Sequence, residues 1–551
     1  MPEGLAAVRS ASGAGPAARD AGEADFVVVG AGAAGCVLAN RLTASGRHSV
    51  RVLEAGGADR HPWIRVPAGF SRTIHNKALN WGYVTAPSAG TAGRTIPFPR
   101  GRVVGGSSSI NGHLFVRGQR ADYDLWARRG CHGWSWDDVL PYFRRAETRP
   151  GGDPALRGLD GPLSVTDQPD PHPLAESFLQ AAERLGLPRN ADYNSGEQEG
   201  IFLYQQLLRD GRRWSAADAY LRPALRRPGL QMAIRALVES IAFEDGRATG
   251  VLYRQGDARF LVRARRQVIL AAGAVNSPHL LQLSGIGDPA WLAGLGIPVR
   301  QARPAVGRNL RDHYAARIAV RLRGAGSLNE RAHGLALVRE VLRYAVSRRG
   351  ILATSPAHAG AFLRTRPELI YPDLQLLFAP ASYSTLRFGA GMLEREPGMT
   401  CGATQLRPES HGHVRALSAD PAILPEIQPN YLADPMDQAA LLAGLRFIRV
   451  LFGTEPLVGV IDHETFPGPA TGDDELLDHA RRTGATVYHP VGTCRMGPDP
   501  DAVVEPSLRV RGVEGLYVAD ASVMPTMVSG NTYAATVMIA EKASDMLLEG
   551  I

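Results

Sequence analysis

The sequence predicts a mixed α/β fold, with a Rossmann-like domain and a second domain built on an antiparallel sheet with helices. Three observations lead there. A strand, a glycine turn and a helix follow one another near residue 30; the same succession recurs around residues 268–287 and 515–548; and the stretches between carry separate strand and amphipathic-helix patterns. At 551 residues the chain is also longer than one hydrophobic core usually supports.

The first unit opens with Asp25-Phe26-Val27-Val28-Val29, dense in β-branched and aromatic residues. Gly30-Ala31-Gly32-Ala33-Ala34-Gly35 follows, then a helical pattern with Val37, Leu38 and Leu42 apolar. Each glycine has a use: Gly30 permits the turn, Gly32 lets backbone amides approach a pyrophosphate, and Gly35 lets helix pack on strand. A second strand, Ser49 to Leu53, ends in Glu54, 19 residues beyond Gly35, where an acid that binds ribose is expected. Together these read as a dinucleotide site, with FAD and NAD equally served by the same loop.

Further along, Pro99 to Gly112 is a loop of small residues and hydroxyls, through which a backbone can pass close to a flat ring. Val268 to Ala272 reads as a buried strand, and Gly273 to Gly287 as the turn and helix after it. Gly515 to Ser522 reads as a strand ending in the carboxylate of Asp520, and Asn531 as the opening, and N-cap, of a helix over 532–548. The two ends of the chain are expected to meet on one nucleotide.

These segments resemble the glucose-methanol-choline (GMC) oxidoreductases. The stretches GRVVGGSSSIN (101–111) and GAVNSPHLLQLSGIG (273–287) match that family's two signatures, and Gly211 to Ala217, Val306 to His313 and His489 to Gly497 agree in order. The resemblance implies FAD, no nicotinamide and no metal. It implies a discontinuous FAD-binding domain over 25–154, 226–314 and 476–551, and a substrate-binding domain over 155–225 and 315–475. It places cofactor contacts at Gly30, Gly32, Ala33, Ala34, Gly35, Glu54, Ala55, Val104, Gly105, Gly106, Ser108, Asn111, Gly112, Leu114, Val238, Asp520, Ala521 and Thr532. Glu54 is expected at the adenosine ribose, Val238 at the adenine, Asn111 and Leu114 along the flavin, and Asp520 toward the ribityl and pyrophosphate. Where some relatives tether FAD through a histidine this chain has Ile110, so the FAD is expected to be non-covalent.

Oxidising an alcohol on a flavin requires a base for the hydroxyl proton, and histidine suits because its ordinary pKa near 6.5 leaves it neutral at physiological pH. The resemblance puts that base at His489, and the second active-site position at Asn531, 42 residues on, whose amide can donate to a developing alkoxide. The implied activity is FAD-dependent oxidation of a small alcohol, with oxygen or a quinone or other carrier as electron acceptor. The alternatives are a choline dehydrogenase, for which Trp81, Tyr83, Phe378 and Tyr383 are cage candidates, and a non-redox hydroxynitrile lyase.

In the second unit, Pro372 to Phe378 and His413 to Leu417 read as strands, and His172 to Leu185 and Leu335 to Val346 as amphipathic helices. The latter carries Arg339, Arg343, Arg348 and Arg349 beside its apolar positions; it reads as a core-facing helix rather than a membrane-facing one.

The net charge is +7, yet 59 of the 61 basic residues are arginine, scattered among acids; only Lys77 and Lys542 are lysine. That argues against a nucleic-acid partner. Cys36, Cys131, Cys401 and Cys494 lie far apart, without disulfide or zinc spacing, which fits a reducing cytoplasm. Residues 1–24 read as a disordered tail without a signal-peptide core, and no run approaches the roughly 18 apolar residues needed to span a bilayer.

Overall fold

The computed structural model describes residues 18–383, 393–468 and 472–550. Strand β1 (Arg19–Val29), helix α1 (Ala33–Leu42) and strand β2 (Val50–Glu54) form the amino-terminal unit. β1 pairs in parallel with β2 on one edge and with β3 (Ala258–Leu270) on the other, and β2 takes Leu230–Ile234 as its outer neighbour. A run such as Val27-Val28-Val29, apolar on both faces, suits a strand covered on both sides.

The sheet then changes sense. Arg247–Gln255 pairs antiparallel with the first half of β3, and Leu237–Glu244 with it in turn, while β4 (Leu516–Val518) lies parallel to Val268–Leu270. Helix α2 (Gly273–Leu283) follows β3, and helix α3 (Tyr533–Glu549) packs on α1. The fully buried Glu541 of α3 pairs with Arg41 of α1 at 2.8 Å, so the two ends of the chain are clamped together.

β1 corrects the expectation of a tail through residue 24. It begins at Arg19, which pairs with Phe260, and continues through Ala24 opposite Ala264. Most side chains of this extension are exposed, and Asp20 and Glu23 pair with Arg263 and Arg265. Backbone hydrogen bonds to an overlong β3 hold it, so no apolar alternation marks it in the sequence. Residues 1–17 of the expected tail lie outside the described residues.

A second seven-stranded sheet is antiparallel throughout. Its order is Ile461–Phe466, Tyr314–Leu322, Gly398–Gln405, Leu374–Ala379, Ala359–Leu363, Gly200–Leu203, with Ala485–Thr486 also against Tyr314. Alternate residues point to opposite faces. Ala316, Ile318, Leu376, Phe378, Cys401 and Ala403 join a core with the helices Pro173–Arg184 and Pro435–Phe452. Arg317, Leu377, Ala379, Thr400 and Gly402 line a cavity on the other side. Phe378 is therefore not a wall of that cavity: it is fully buried, stacked on Phe178 at 4.7 Å. Gly412–Arg415 forms a strand too, but in a separate three-stranded sheet.

The helix Gly334–Ser347 forms where its periodicity predicts, turned the other way. Only Glu340 and Tyr344 of it are buried, and its apolar side faces solvent.

Candidate functional site

One elongated cavity of about 460 Å³ runs from the α1 turn to the antiparallel sheet. At one end, Gly30 turns the chain at φ +102°, and a Cβ there would lie 2.6 Å from Ala271 O. At Gly35 a Cβ would lie 1.8 Å from Gly30 O, so both glycines serve the fold itself. Gly32 differs: the nearest atom to its Cβ would be Ala271 O at 3.9 Å. Its missing side chain leaves room for something outside the chain. No side chain caps α1, so its first amides open toward that room with their partial positive charge. This is the fit expected of a pyrophosphate group.

Glu54, at the end of β2, accepts from Ala31 N at 2.9 Å and Gly56 N at 2.7 Å. Burial pushes its carboxyl up to about 7, against the pull of those two amides and Arg102. Ala33, Ala34, Ala55 and Val238 line the same end. Asp520 reaches the wall between α2 and the last strand, with its carboxylate accepting from Gly273 N at 2.8 Å and Ser277 Oγ at 2.6 Å. Ala521 and Thr532 lie beside it.

The small-residue loop supplies one long wall through Gly106, Ser108, Asn111, Gly112 and Leu114. Arg213, 1% exposed, donates to Asn111 Oδ1 at 2.7 Å and fixes that amide. No sequence signal gives Arg213 this task, because Asn111 lies 102 residues away. Three expected contacts are absent from the cavity wall: Gly35, Val104 and Gly105. Gly35 touches the Gly30 backbone, Val104 is buried in the core, and Gly105 donates its N–H to Ala31 O at 2.8 Å. They bring the two loops together; they do not face the space between them.

At the far end, His489 and Asn531 meet: Asn531 Nδ2 lies 3.0 Å from His489 Nε2. Asn531 is not the N-cap of α3, which starts at Tyr533 after Thr532. The helix begins one residue late, leaving the Asn531 amide to point at the imidazole, and its Oδ1 is buried with no hydrogen-bond partner among the described residues.

On its other side, His489 Nδ1 lies 3.0 Å from His313 Nδ1, and His313 Nε2 lies 2.9 Å from Leu406 O. This chain of contacts determines the protons. A carbonyl only accepts, so His313 carries its hydrogen on Nε2. Burial holds His313 down to about 4, so it is neutral, and its Nδ1 is bare. His489 Nδ1–H must then be the donor between the rings. Burial, then His313 and Arg100, hold His489 well below its ordinary 6.5, so it too is neutral. Its Nε2 carries no hydrogen, and its lone pair accepts from the Asn531 amide.

The backbone is anchored as firmly. His489 N donates to Asp312 Oδ1 at 2.7 Å, and Asp312 Oδ2 accepts from Thr486 at 2.6 Å and from Tyr431. Tyr488 sits at φ +72°, a strained conformation for a bulky residue, and Arg100 donates to its carbonyl at 2.6 Å. Asp312 and His313 lie in the matched Val306–His313 segment, but nothing in that segment signals that it backs His489. A separation of 176 residues leaves no spacing to read.

The chain resembles known proteins along most of its length. Residues 24–315 and 408–540 match the GMC oxidoreductase family. An alcohol dehydrogenase [acceptor] of Pseudomonas putida is 39% identical over 96% of both chains. An oxygen-dependent choline dehydrogenase of Sinorhizobium medicae is 40% identical, again over 96% of each. The crystal structure of a pyridoxine 4-oxidase from Mesorbium loti superposes with a TM-score of 0.86 at 31% identity, covering 95% of this chain and 98% of that one.

Proposed function

This chain belongs to the GMC oxidoreductase family and oxidises an alcohol with FAD; we propose that His489 is the base of that reaction, with Asn531 and His313 holding it ready. The bare Nε2 of a neutral histidine, facing a cavity whose other end suits a dinucleotide, carries this reading. The α1 amides at Gly32, Ala33 and Ala34 would take the pyrophosphate, Glu54 the ribose and Val238 the adenine. Asn111, Gly112 and Leu114 would lie along the flavin, and Asp520, Ala521 and Thr532 along the ribityl chain. When bound, FAD supplies the acceptor for the hydride that leaves the carbinol carbon.

The alcohol O–H donates to His489 Nε2 and gives up its proton there. Asn531 Nδ2, displaced from that nitrogen, donates to the alkoxide oxygen instead. His313 takes no proton; it keeps His489 in the productive tautomer and fixes its ring plane, the two rings meeting edge-on at 87°. His313→Leu leaves the Nδ1–H of His489 buried and unpaired, a defect of about 1–3 kcal/mol. Flavin reduction by alcohol should therefore slow roughly five- to a hundredfold, measured by anaerobic stopped-flow; an unchanged rate removes His313 from the account.

Because burial depresses the base, the pH profile should be flat where an ordinary histidine would titrate. Lowering the pH through 6.5 leaves the rate of flavin reduction on its plateau, with the acidic fall well below it. A half-maximal rate at or above pH 6.5 contradicts a neutral, buried base.

Ile110 is 2% exposed and packs with Ile64, Ile74 and Leu79, offering no nucleophile to the flavin. The FAD should pass into the supernatant when the protein is precipitated with acid; flavin retained in the pellet would mean a covalent link.

The charges favour an uncharged alcohol over a trimethylammonium one. Trp81, Tyr83 and Tyr383 line the cavity, but among its described wall residues the acids are Glu54 and Asp520, both engaged by backbone amides, while Arg100 and Arg317 are cations. A quaternary ammonium cage needs the opposite sign. A panel of aliphatic and aromatic alcohols, choline and a cyanohydrin tests this: aldehyde or ketone from a neutral alcohol supports it. Turnover of choline alone, or cyanide release without oxidation, overturns it.

A further inference from the structure

The Gly334–Ser347 helix is fixed to the molecule by its polar side. Glu340 pairs with Arg331 at 2.6 Å and accepts from Ile351 N at 3.0 Å, and Tyr344 OH donates to Gly211 O at 3.0 Å. Leu337 alone reaches inward to the small cluster of Leu328, Ile351 and Ala381. The rest of its apolar surface is in solvent: Leu335, Val338, Val341, Leu342 and Val346 are 85, 53, 46, 61 and 88% exposed. At about 100° per residue, these five and Ala345 fill one unbroken arc of about 140°. Arg339 and Arg343 border that arc, and Arg348 and Arg349 follow its end. Hydrophobic burial alone would turn such a helix inward. Here its inward contacts are polar, so the exposed apolar face is built into the fold.

We propose that this face rests in the surface of an anionic lipid bilayer. The arc would enter the boundary between headgroups and acyl chains while Arg339, Arg348 and Arg349 meet lipid phosphates. Charge complementarity selects this occupant. Between Gly334 and Arg349 the one acid is Glu340, which is buried and paired, and Arg343 is paired with Asp170 at 2.9 Å; Arg339, Arg348 and Arg349 remain beside the arc, and the chain as a whole carries +7. A second copy docked on the same arc would set arginine borders against each other, and Asp170, the acid beside Arg343, is already paired with it. No helix among the described residues is long and apolar enough to cross a membrane, so the attachment lies in the plane of the surface. Tyr383, packed against the same small cluster as Leu337, also lines the cavity, so one apolar cluster joins this helix to the cavity wall.

Flotation of the FAD-loaded protein with vesicles tests the proposal. It should float with vesicles of mixed phosphatidylglycerol and phosphatidylcholine, and much less with phosphatidylcholine alone. A triple variant, Leu335→Ser, Leu342→Ser and Val346→Ser, should partition roughly tenfold less or weaker still. Arg339→Gln with Arg349→Gln should weaken only the binding to anionic vesicles. All variants should keep their melting temperature and their oxidation of a water-soluble alcohol without vesicles, since the altered side chains point to solvent. Wild-type protein that stays with the solution, a triple variant that floats like wild type, or equal binding to neutral vesicles overturns the proposal. So does a dimer that the triple variant abolishes while vesicle binding is absent.

Discussion

His489→Ala leaves the flavin in place and slows its reduction by alcohol by about two to four decades, the usual contribution of a positioned general base. The size follows from the imidazole's setting. Its Nε2 is the one ring nitrogen of the His313–His489 pair that faces the cavity without a hydrogen of its own. Alanine removes the acceptor and leaves Asn531 to meet the alkoxide alone. The walls assigned to FAD are formed by other segments, so cofactor content should be unchanged in the absorption spectrum. Removing a buried ring also opens a void, and a melting curve on the same sample separates loss of chemistry from loss of fold. His489→Gln, which keeps an amide near both neighbours, should fold as wild type and be comparably slow. A wild-type rate in either variant refutes the assignment.

Gly32→Ala has the opposite signature: the fold survives and the cofactor is lost. Its methyl would meet no chain atom nearer than 3.9 Å, and the residue's φ of −76° suits alanine. The added methyl occupies the approach to the α1 amides. Loss of two charge-assisted hydrogen bonds, at about 1.5–3 kcal/mol each, corresponds to a roughly hundredfold to ten-thousandfold weaker affinity for FAD. The protein should therefore purify with little flavin and nearly the melting temperature of the flavin-stripped parent. Gly30→Ala and Gly35→Ala, whose Cβ atoms would collide with backbone, should instead destabilise the protein itself. Full flavin content in Gly32→Ala would show that the cofactor lies elsewhere.

The contrast between these glycines shows how far the sequence could be read. The spacing of Gly30, Gly32 and Gly35 after a β-branched run announces a turn between strand and helix: Gly30 takes a left-handed φ of +102°, and a side chain at Gly35 would strike the Gly30 carbonyl. The motif also assigns the open approach to Gly32; what it cannot give is the cause, the distances of Ala271 and Gly106 from that glycine, which are tertiary. Arg19 to Glu23 were illegible for the reverse reason: backbone pairing to β3 holds them, and their side chains are mostly exposed. His489 and Asn531 could be singled out by resemblance, but the link through His313 to Leu406 joins residues 176 and 93 positions apart. The Gly334–Ser347 helix marks another boundary. Its periodicity fixes that one side is apolar, while the direction that side faces is set by Glu340 and Tyr344, two polar contacts that periodicity does not weigh.

The central claim is that a hydride leaves the carbinol carbon of an alcohol for FAD while His489 takes the hydroxyl proton. Anaerobic stopped-flow mixing of the holoenzyme with a neutral alcohol, unlabelled and then deuterated at the carbinol carbon, tests it most directly. Bleaching of the oxidised flavin band in a single turnover, slowed by the deuterium and nearly abolished in His489→Ala, is the predicted result. A flavin that stays oxidised with every alcohol offered, or bleaches equally fast with both isotopes and in the variant, would contradict it.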